Sequence, residues 1–404
     1  MLNLLVHLAC AAPRRMSVSG QSSGGSAAIQ HLVAYSSVVD GAAIAAGAPY
    51  GCGSLNGKGQ YADWDCMRGP DLAEVNDTVT YLRKRAERGE IDSPDNLRQT
   101  PVVLFNGRGD STVYKRVMVA ASAQLAHFID RPFLTTNFRT DAGHVWSVDH
   151  GACRCGVCPY GGVEKLTCCN INNCDFDLSG ALMRATYGES IRPRVAANGR
   201  LYWINQAQYW PAERAFKNTV MEYAIAYVPT SCESEPRRCK LHVNYHGCVR
   251  PDWSNRIRWV THLDLNEYGE ANEMIVLYPQ AQGSAGAGMG CWNWETYADD
   301  PAFDTRRGCQ LSMVMSMSAD LTNGLRHALV SNGTDVPAAV QKAHDANDYF
   351  YSYSYGSYSY GSYGSYGSYG GWGSYSYGWT GKNATGNATR RAPSPTVEDP
   401  MDRS

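Results

Sequence analysis

The chain has 404 residues, with 36 basic and 38 acidic side chains and a formal net charge of -2. A balance so near neutral leaves no electrostatic case for nucleic acid or an anionic membrane as a partner, and no apolar run approaches the roughly 20 residues of a membrane-spanning helix. Fourteen cysteines are more than a reducing compartment suits and point to an extracellular, secreted protein.

Residues 1–12, MLNLLVHLACAA, have the apolar stretch and small residues of a secretion signal without its basic start, and read as a truncated signal or an N-terminal arm. Met16-Ser17-Val18-Ser19 is a short β run leading into a Gly/Ser turn, and a helical pattern follows over Ala27 to Tyr35. Gly41 to Gly47 reads as a buried strand, Leu72 to Arg88 as a charged helix and Pro101 to Phe105 as the next strand. A helix over Val117 to Asp130 precedes a strand at Phe133 to Phe138, and a Cys-rich insertion occupies 153–174. Further short apolar strands fall at Tyr223 to Tyr227, Leu241 to Tyr245 and Met274 to Tyr278. Short buried strands separated by helices predict an α/β fold with a mainly parallel sheet flanked by helices.

The expected folded domain runs over 13–331, followed by a linker at 332–348. Tyr349 to Trp379 holds 11 of the 26 tyrosines among repeated Gly and Ser, with no charged or aliphatic residue. The segment 349–380 is therefore expected to be a flexible low-complexity tail, followed by a disordered end at 381–404. Its uncharged aromatics suit adsorption to a solid polymer or cell wall, and an inert spacer is the other reading. Sequons at Asn76, Asn332, Asn383 and Asn387 agree with secretion.

Gly20-Gln21-Ser22-Ser23-Gly24 is G-x-S-x-G between a β run and a helical segment. A nucleophile elbow needs small residues around its serine because the turn is sharp, and it leaves helix N-terminal N–H groups facing the site. A serine hydroxyl needs a positioned base, and in α/β-hydrolases the partners follow in the order serine, acid, histidine. Asp110 follows the strand ending at Phe105, and His144 follows the strand ending at Phe138, which gives the triad Ser22, Asp110, His144. His150 is a rival base, and Asp141 and Asp149 are rival acids.

The fold's second oxyanion donor ordinarily comes from a loop after an early strand, often marked His-Gly. Here that signature is Leu241-His242-Val243-Asn244-Tyr245-His246-Gly247-Cys248, far downstream of the serine. The inverted order predicts a circularly permuted α/β-hydrolase, with the backbone N–H groups of Ser23 and Cys248 as oxyanion donors.

The blocks SVSGQSSGG (17–25), AAGAPYGC (45–52), YVPTSC (227–232), LHVNYHGC (241–248), MIVLYPQA (274–281) and GCWNW (290–294) resemble, in this order, the circularly permuted single-domain poly(3-hydroxybutyrate) depolymerases of fungal type. The resemblance covers roughly 13–330. It implies the same Ser22, Asp110 and His144, the Ser23 and Cys248 amides as oxyanion donors, and Trp292 bordering the ester-binding crevice. Three features depart from the family pattern. C-W-D-W reads Cys291-Trp292-Asn293-Trp294, the glycine and aromatic after the elbow are Ser26 and Ala27, and the insertion CRCGVCPYGGVEKLTCC occupies 153–169. The expected activity is an extracellular serine esterase acting on a polyester without metal or cofactor. A feruloyl or acetyl esterase of plant polysaccharide, and a wall-associated adhesive protein with a vestigial hydrolase, are the alternatives.

Cysteine spacing suggests the pairs Cys52–Cys66, Cys232–Cys239 and Cys248–Cys291, the last bracing the oxyanion loop. Six cysteines between 153 and 174 lack the paired C-x2-C spacing of zinc ribbons. Disulfides are expected there, with Cys153–Cys174 one pair.

Overall fold

A computed structural model describes residues 15–55, 66–69, 72–155, 170–211, 219–248, 253–282, 290–295, 300–321, 328–330 and 334–342. The expected N-terminal arm, the tail at 349–380, the end at 381–404, most of the Cys-rich insertion and the sequons at Asn332, Asn383 and Asn387 lie outside these residues. Asn76 is exposed on its helix.

The strands are β1 (Met16–Gln21), β2 (Val39–Ala45), β3 (Val102–Phe105), β4 (Leu134–Asn137), β5 (Trp146–Val148), β6 (Ile171–Asn173), β7 (Arg200–Asn205), β8 (Tyr223–Val228), β9 (Lys240–Tyr245), β10 (Met274–Tyr278) and β11 (Leu329–Val330). The helices are α1 (Ser23–Ala34), α2 (Cys52–Leu55), α3 (Leu72–Glu87), α4 (Lys115–Leu125), α5 (Leu178–Tyr187), α6 (Trp253–Thr261), α7 (Leu265–Asn272) and α8 (Cys309–Leu321).

Nine strands form one sheet in the order β11-β7-β8-β10-β9-β1-β2-β3-β4. Pairing is parallel from β10 through β9, β1, β2 and β3 to β4, and antiparallel where β8 joins β10, β7 joins β8 and β11 joins β7. Counted from β7 and carried through β4 after β10, the strands lie across the sheet as first, second, fourth, third, fifth, sixth, seventh, eighth. The His-Gly loop then follows the third strand, where a hydrolase keeps an oxyanion donor, and the elbow serine follows the fifth. The circular permutation read from motif order is thus visible in the sheet.

Successive residues of a strand point to opposite faces, and the core divides accordingly. Val18, Ala42, Ile44, Val102, Leu104, Leu241, Val243, Ile275 and Leu277 pack in one cluster with Ile29 and Leu32 of α1, Met118 of α4, and Val314 and Met317 of α8. Ala43, Ala45, Val103, Phe105, Met274 and Val276 pack on the other face with Leu182 of α5, Trp259 of α6 and Leu265 of α7. Helices therefore cover both faces, as a largely parallel sheet requires.

The centre of the second face is polar. His242 on β9 is fully buried, and its two ring nitrogens hydrogen-bond Ser17 Oγ and Ser19 Oγ of β1, each at 2.8 Å. Asn244 Nδ2 donates to Ser19 Oγ at 2.8 Å, and Trp259 Nε1 donates to Asn244 Oδ1 at 2.8 Å. The strand that delivers the elbow is thereby tied, side chain to side chain, to the strand that delivers the His-Gly loop. Burial lowers the pKa of His242 to about 3, and that of the equally buried His31 to about 3.

Both histidines ionise near 6.5 in an unfolded chain. Between roughly pH 6.5 and 3 the unfolded chain therefore binds protons that the native chain refuses, so stability falls as pH drops through that window. Two such groups cost up to about 3 kcal/mol per pH unit inside it. The histidines' own share is a thermal midpoint that falls from pH 6.5 to pH 4, with about two protons taken up by them on unfolding near pH 5. Burial of Asp264, Glu267 and Asp304 raises their pKa and acts the other way. A His31→Gln variant whose midpoint keeps the parent's pH dependence across that interval would contradict the assignment.

The structure moves several expected boundaries. The first helix begins at Ser23, directly after the elbow serine, and the fourth strand spans Leu134–Asn137. Residues 334–342, expected as linker, include Val340, which is wholly buried in the second core cluster with Val336 packed against it. Cys52–Cys66, Cys232–Cys239 and Cys248–Cys291 are bonded as expected. Cys174 bonds Cys155 rather than Cys153, and Cys153 is also disulfide-bonded. The parallel pairing of β5 with β6, extended by a bridge from Arg154 to Asn173, decides which cysteine lies opposite Cys174.

Candidate active site

Ser22 occupies the turn between β1 and α1 with φ 60° and ψ -127°. This is a positive φ that a non-glycine residue adopts only at a cost of about 1–3 kcal/mol. The turn is held because the Ser22 N–H donates to Ala45 O at 2.9 Å and its carbonyl accepts from Ser26 N–H at 3.0 Å. Its side chain does not cap α1, so the hydroxyl stands at the helix N-terminus without being spent on the helix.

Asp110 and His144 come from the loops after β3 and β4, on the same sheet edge as the elbow because these strands run parallel to β1. Asp110 is buried, and each oxygen is used. Oδ1 accepts from Thr112 N–H and Val113 N–H, both at 2.9 Å. Oδ2 accepts from Asn106 Nδ2 at 3.2 Å and meets His144 Nδ1 at 2.8 Å. The carboxylate can only accept from an imidazole N–H, so Nδ1 carries a proton and Nε2 is left basic. The two loops dock on each other through Arg108 N–H to Thr140 O at 2.9 Å and Gly109 N–H to Ala142 O at 3.0 Å.

The rivals are engaged elsewhere. His150 bonds the buried Asp264 at 2.7 Å, Asp149 pairs with Arg194 at 2.8 Å, and Asp141 pairs with Arg108 at 2.5 Å on the surface. Burial raises the pKa of Asp264. Asp149, His150 and Asp264 also place donor atoms within 4.8 Å of one another, a spacing that suits a cation. Arg194 already lies against Asp149 and, at 3.7 Å, against Asp264.

The His-Gly loop reaches the serine. A Cβ built on Gly247 would stand 3.1 Å from Ser22 Cβ and 3.8 Å from Ser22 Oγ, so the backbone just before Cys248 lies against the nucleophile position. His246 brackets this loop from inside. Its Nε2 must accept from Ala281 N–H, at 3.1 Å, which leaves Nδ1 to donate to the Gly247 carbonyl at 2.6 Å. Cys248 is tied to Cys291, and the next residue, Trp292, donates its N–H to Ser23 Oγ at 3.2 Å.

Trp292, expected to border the crevice, lies directly beneath the His-Gly loop. Its side chain is fully buried, packed edge-on against Tyr245 at 4.9 Å between centroids and beside His246 at 5.6 Å. The indole supports the floor of the His-Gly loop. Asn293, which stands where the resembled pattern has an aspartate, is buried with its N–H on Gln310 Oε1 at 2.8 Å. Sequence reasoning also missed Asn106 and the bonds made by the His246 side chain. Asn106 sits at the end of β3, one signal that a polar residue there serves the acid, whereas the role of His246 depends on contacts that only the fold creates.

An elbow serine after a central parallel strand, with a histidine and carboxylate on the neighbouring loops, defines an α/β-hydrolase of the serine ester hydrolase class. The chain is 30% identical over 313 residues to a poly(3-hydroxybutyrate) depolymerase of Delftia acidovorans, a match covering 76% of this chain but only 59% of that protein's length. It is 30% identical over 334 residues to a polyhydroxybutyrate depolymerase of Talaromyces funiculosus, covering 78% of this chain and 91% of that one. A crystal structure of the Penicillium funiculosum enzyme superposes with a TM-score of 0.65 at 28% identity, covering 77% of this chain and 96% of the other. A depolymerase complexed with an R3HB trimer superposes over the same shares with a TM-score of 0.66. No protein-family model matches the chain. The chain belongs to the polyhydroxybutyrate depolymerase family.

Proposed function

We propose that the chain is a secreted serine esterase that hydrolyses the ester bonds of poly(3-hydroxybutyrate). The observation that carries this reading is the His144–Asp110 pair at 2.8 Å beside a strained Ser22 elbow, in a chain of this family. Ser22 Oγ attacks the ester carbonyl while His144 Nε2 takes its proton. The tetrahedral oxyanion is received by the N–H groups of Ser23 and Cys248, each such donor being worth about 2.7–4 kcal/mol. Collapse expels the alcohol end of the polymer, which takes the proton from His144 and leaves an acyl-enzyme on Ser22. Water, deprotonated by His144, then releases the acid end and restores the serine. Asp110 holds the tautomer and stabilises the imidazolium in both halves.

Substrate choice rests on the relatives, one of which was solved with an R3HB trimer. Four disulfides among the described residues support secretion, since such bonds persist in oxidising compartments. Adsorption to the solid through the tyrosine-rich tail belongs to the same proposal. The test is to incubate the purified full chain with a poly(3-hydroxybutyrate) suspension, and separately with feruloylated and acetylated xylan, alongside a fluorophosphonate probe. Clearing of the suspension with 3-hydroxybutyrate released and the probe on Ser22 is expected. Ferulate or acetate release without clearing would favour the polysaccharide esterase, and an unlabelled Ser22 would favour the adhesive protein.

A further inference from the structure

Gln21 is the last residue of β1 and immediately precedes the elbow serine. It is only 1% exposed, and its side chain points to the same face as Ser17 and Ser19. Its Nε2 donates to the backbone carbonyl of His144 at 3.0 Å. Only the amino end of a carboxamide can face a carbonyl, so the orientation is fixed, and it leaves Oε1 buried without a hydrogen-bond partner among the described residues.

A buried carbonyl oxygen left in that state costs about 1–3 kcal/mol. A methionine of similar reach would fill the same space without that cost, so packing alone gives no reason for an amide here. What the amide supplies is a tether. Asp110 fixes how the His144 ring is turned, but it does not fix how far the base loop stands from β1. Backbone bonds tie that loop to the acid loop, through Thr140 and Ala142. Among the described residues, the bond from Gln21 is the one hydrogen bond at the backbone of His144, and it joins the base to the residue next to the nucleophile.

We propose that Gln21 is a positioning residue that sets the spacing between His144 and Ser22 by anchoring the base's own carbonyl to the end of the nucleophile's strand. The proposal rests on the reading of Ser22, His144 and Asp110 as the triad. A misplacement of about 1 Å between reacting groups costs on the order of 100-fold in rate, so loss of the tether should appear in kcat.

In the full chain, Gln21→Met is expected to lower kcat for a soluble 3-hydroxybutyrate ester roughly 10- to 100-fold. KM should stay nearly unchanged, and the thermal midpoint should hold within a few degrees because the orphaned oxygen goes with the donor. Gln21→Glu gives a second readout. Its carboxyl can donate to the His144 carbonyl only when protonated, and once ionised it repels that carbonyl. Its kcat should therefore show an extra descending limb as pH rises through the glutamate's pKa, absent from the parent and from Gln21→Met. A Gln21→Met kcat within twofold of the parent would overturn the proposal, as would a Gln21→Glu pH profile that superposes on the parent's. Ser22→Ala separates the two levels. If it retains turnover, the triad reading itself fails; if it is inactive while Gln21→Met is fully active, only the positioning role fails.

Discussion

Ser22→Ala should lower kcat on a soluble ester by about 10⁶-fold, and Asp110→Asn by about 10⁴-fold, with Ser22→Ala melting close to the parent. The second figure has a specific origin in the bonds around Asp110. Oδ1 faces two backbone N–H groups, from Thr112 and Val113, so the amide oxygen of an asparagine must take that side. Its amino group then faces His144 Nδ1 and Asn106 Nδ2. A donor opposite Nδ1 forces the imidazole to place its proton on Nε2, the nitrogen that must receive the proton of Ser22. The base is thus present, in place and in the wrong tautomer. Steady-state kinetics with a p-nitrophenyl ester, together with thermal melts, check both variants. An Asp110→Asn enzyme within tenfold of the parent would remove Asp110 from the acid role.

Why these residues were legible before the fold follows from the sheet. β9, β1, β3 and β4 run parallel, so whatever follows each strand arrives at one edge, and strand order alone gathers Cys248, Ser22, Asp110 and His144 there. The permutation was legible for the same reason, since it changes where the chain is cut and not which loop follows which strand. Side-chain surroundings were not legible. Trp292 in a Gly-Cys-Trp-Asn-Trp block resembles a crevice residue, and its packing on Tyr245 and His246 is visible only in the fold. Cys153 and Cys155 differ by two residues, and the parallel bridge of Arg154 to Asn173 sets Cys155 beside Cys174. Val340 stands in a stretch whose composition suggests a linker, and its burial depends on partners far away in sequence. Gln21 was in view as the variable position of the motif, but its bond to His144 spans 123 residues.

Gly24→Ala should cost both stability and rate, although it replaces a poor helix former by the best one. In a helix interior, alanine over glycine is worth about 1 kcal/mol. Against that, a Cβ on Gly24 would lie 2.2 Å from the Tyr245 carbonyl oxygen and 2.3 Å from that of His246. A Cβ has no rotamer by which to escape, and both obstacles are backbone at the end of β9, so α1 and the His-Gly loop must separate. Overpacking of this kind costs about 1–3 kcal/mol, which exceeds the propensity gain. The two parts forced apart carry the proposed oxyanion donors, Ser23 on α1 and Cys248 on the loop. Cys248 is also bonded to Cys291, which limits how far the loop can swing clear, so strain falls on the donor geometry. Loss of one donor typically costs 10²- to 10³-fold in kcat, and that is the expected drop, with a lowered thermal midpoint and little change in KM. Calorimetry and ester kinetics on the purified variant measure both. A Gly24→Ala protein that melts with the parent and turns over within threefold of it would show that the first turn of α1 and the His-Gly loop tolerate separation, and would remove the Ser23–Cys248 pair as a preorganised oxyanion site.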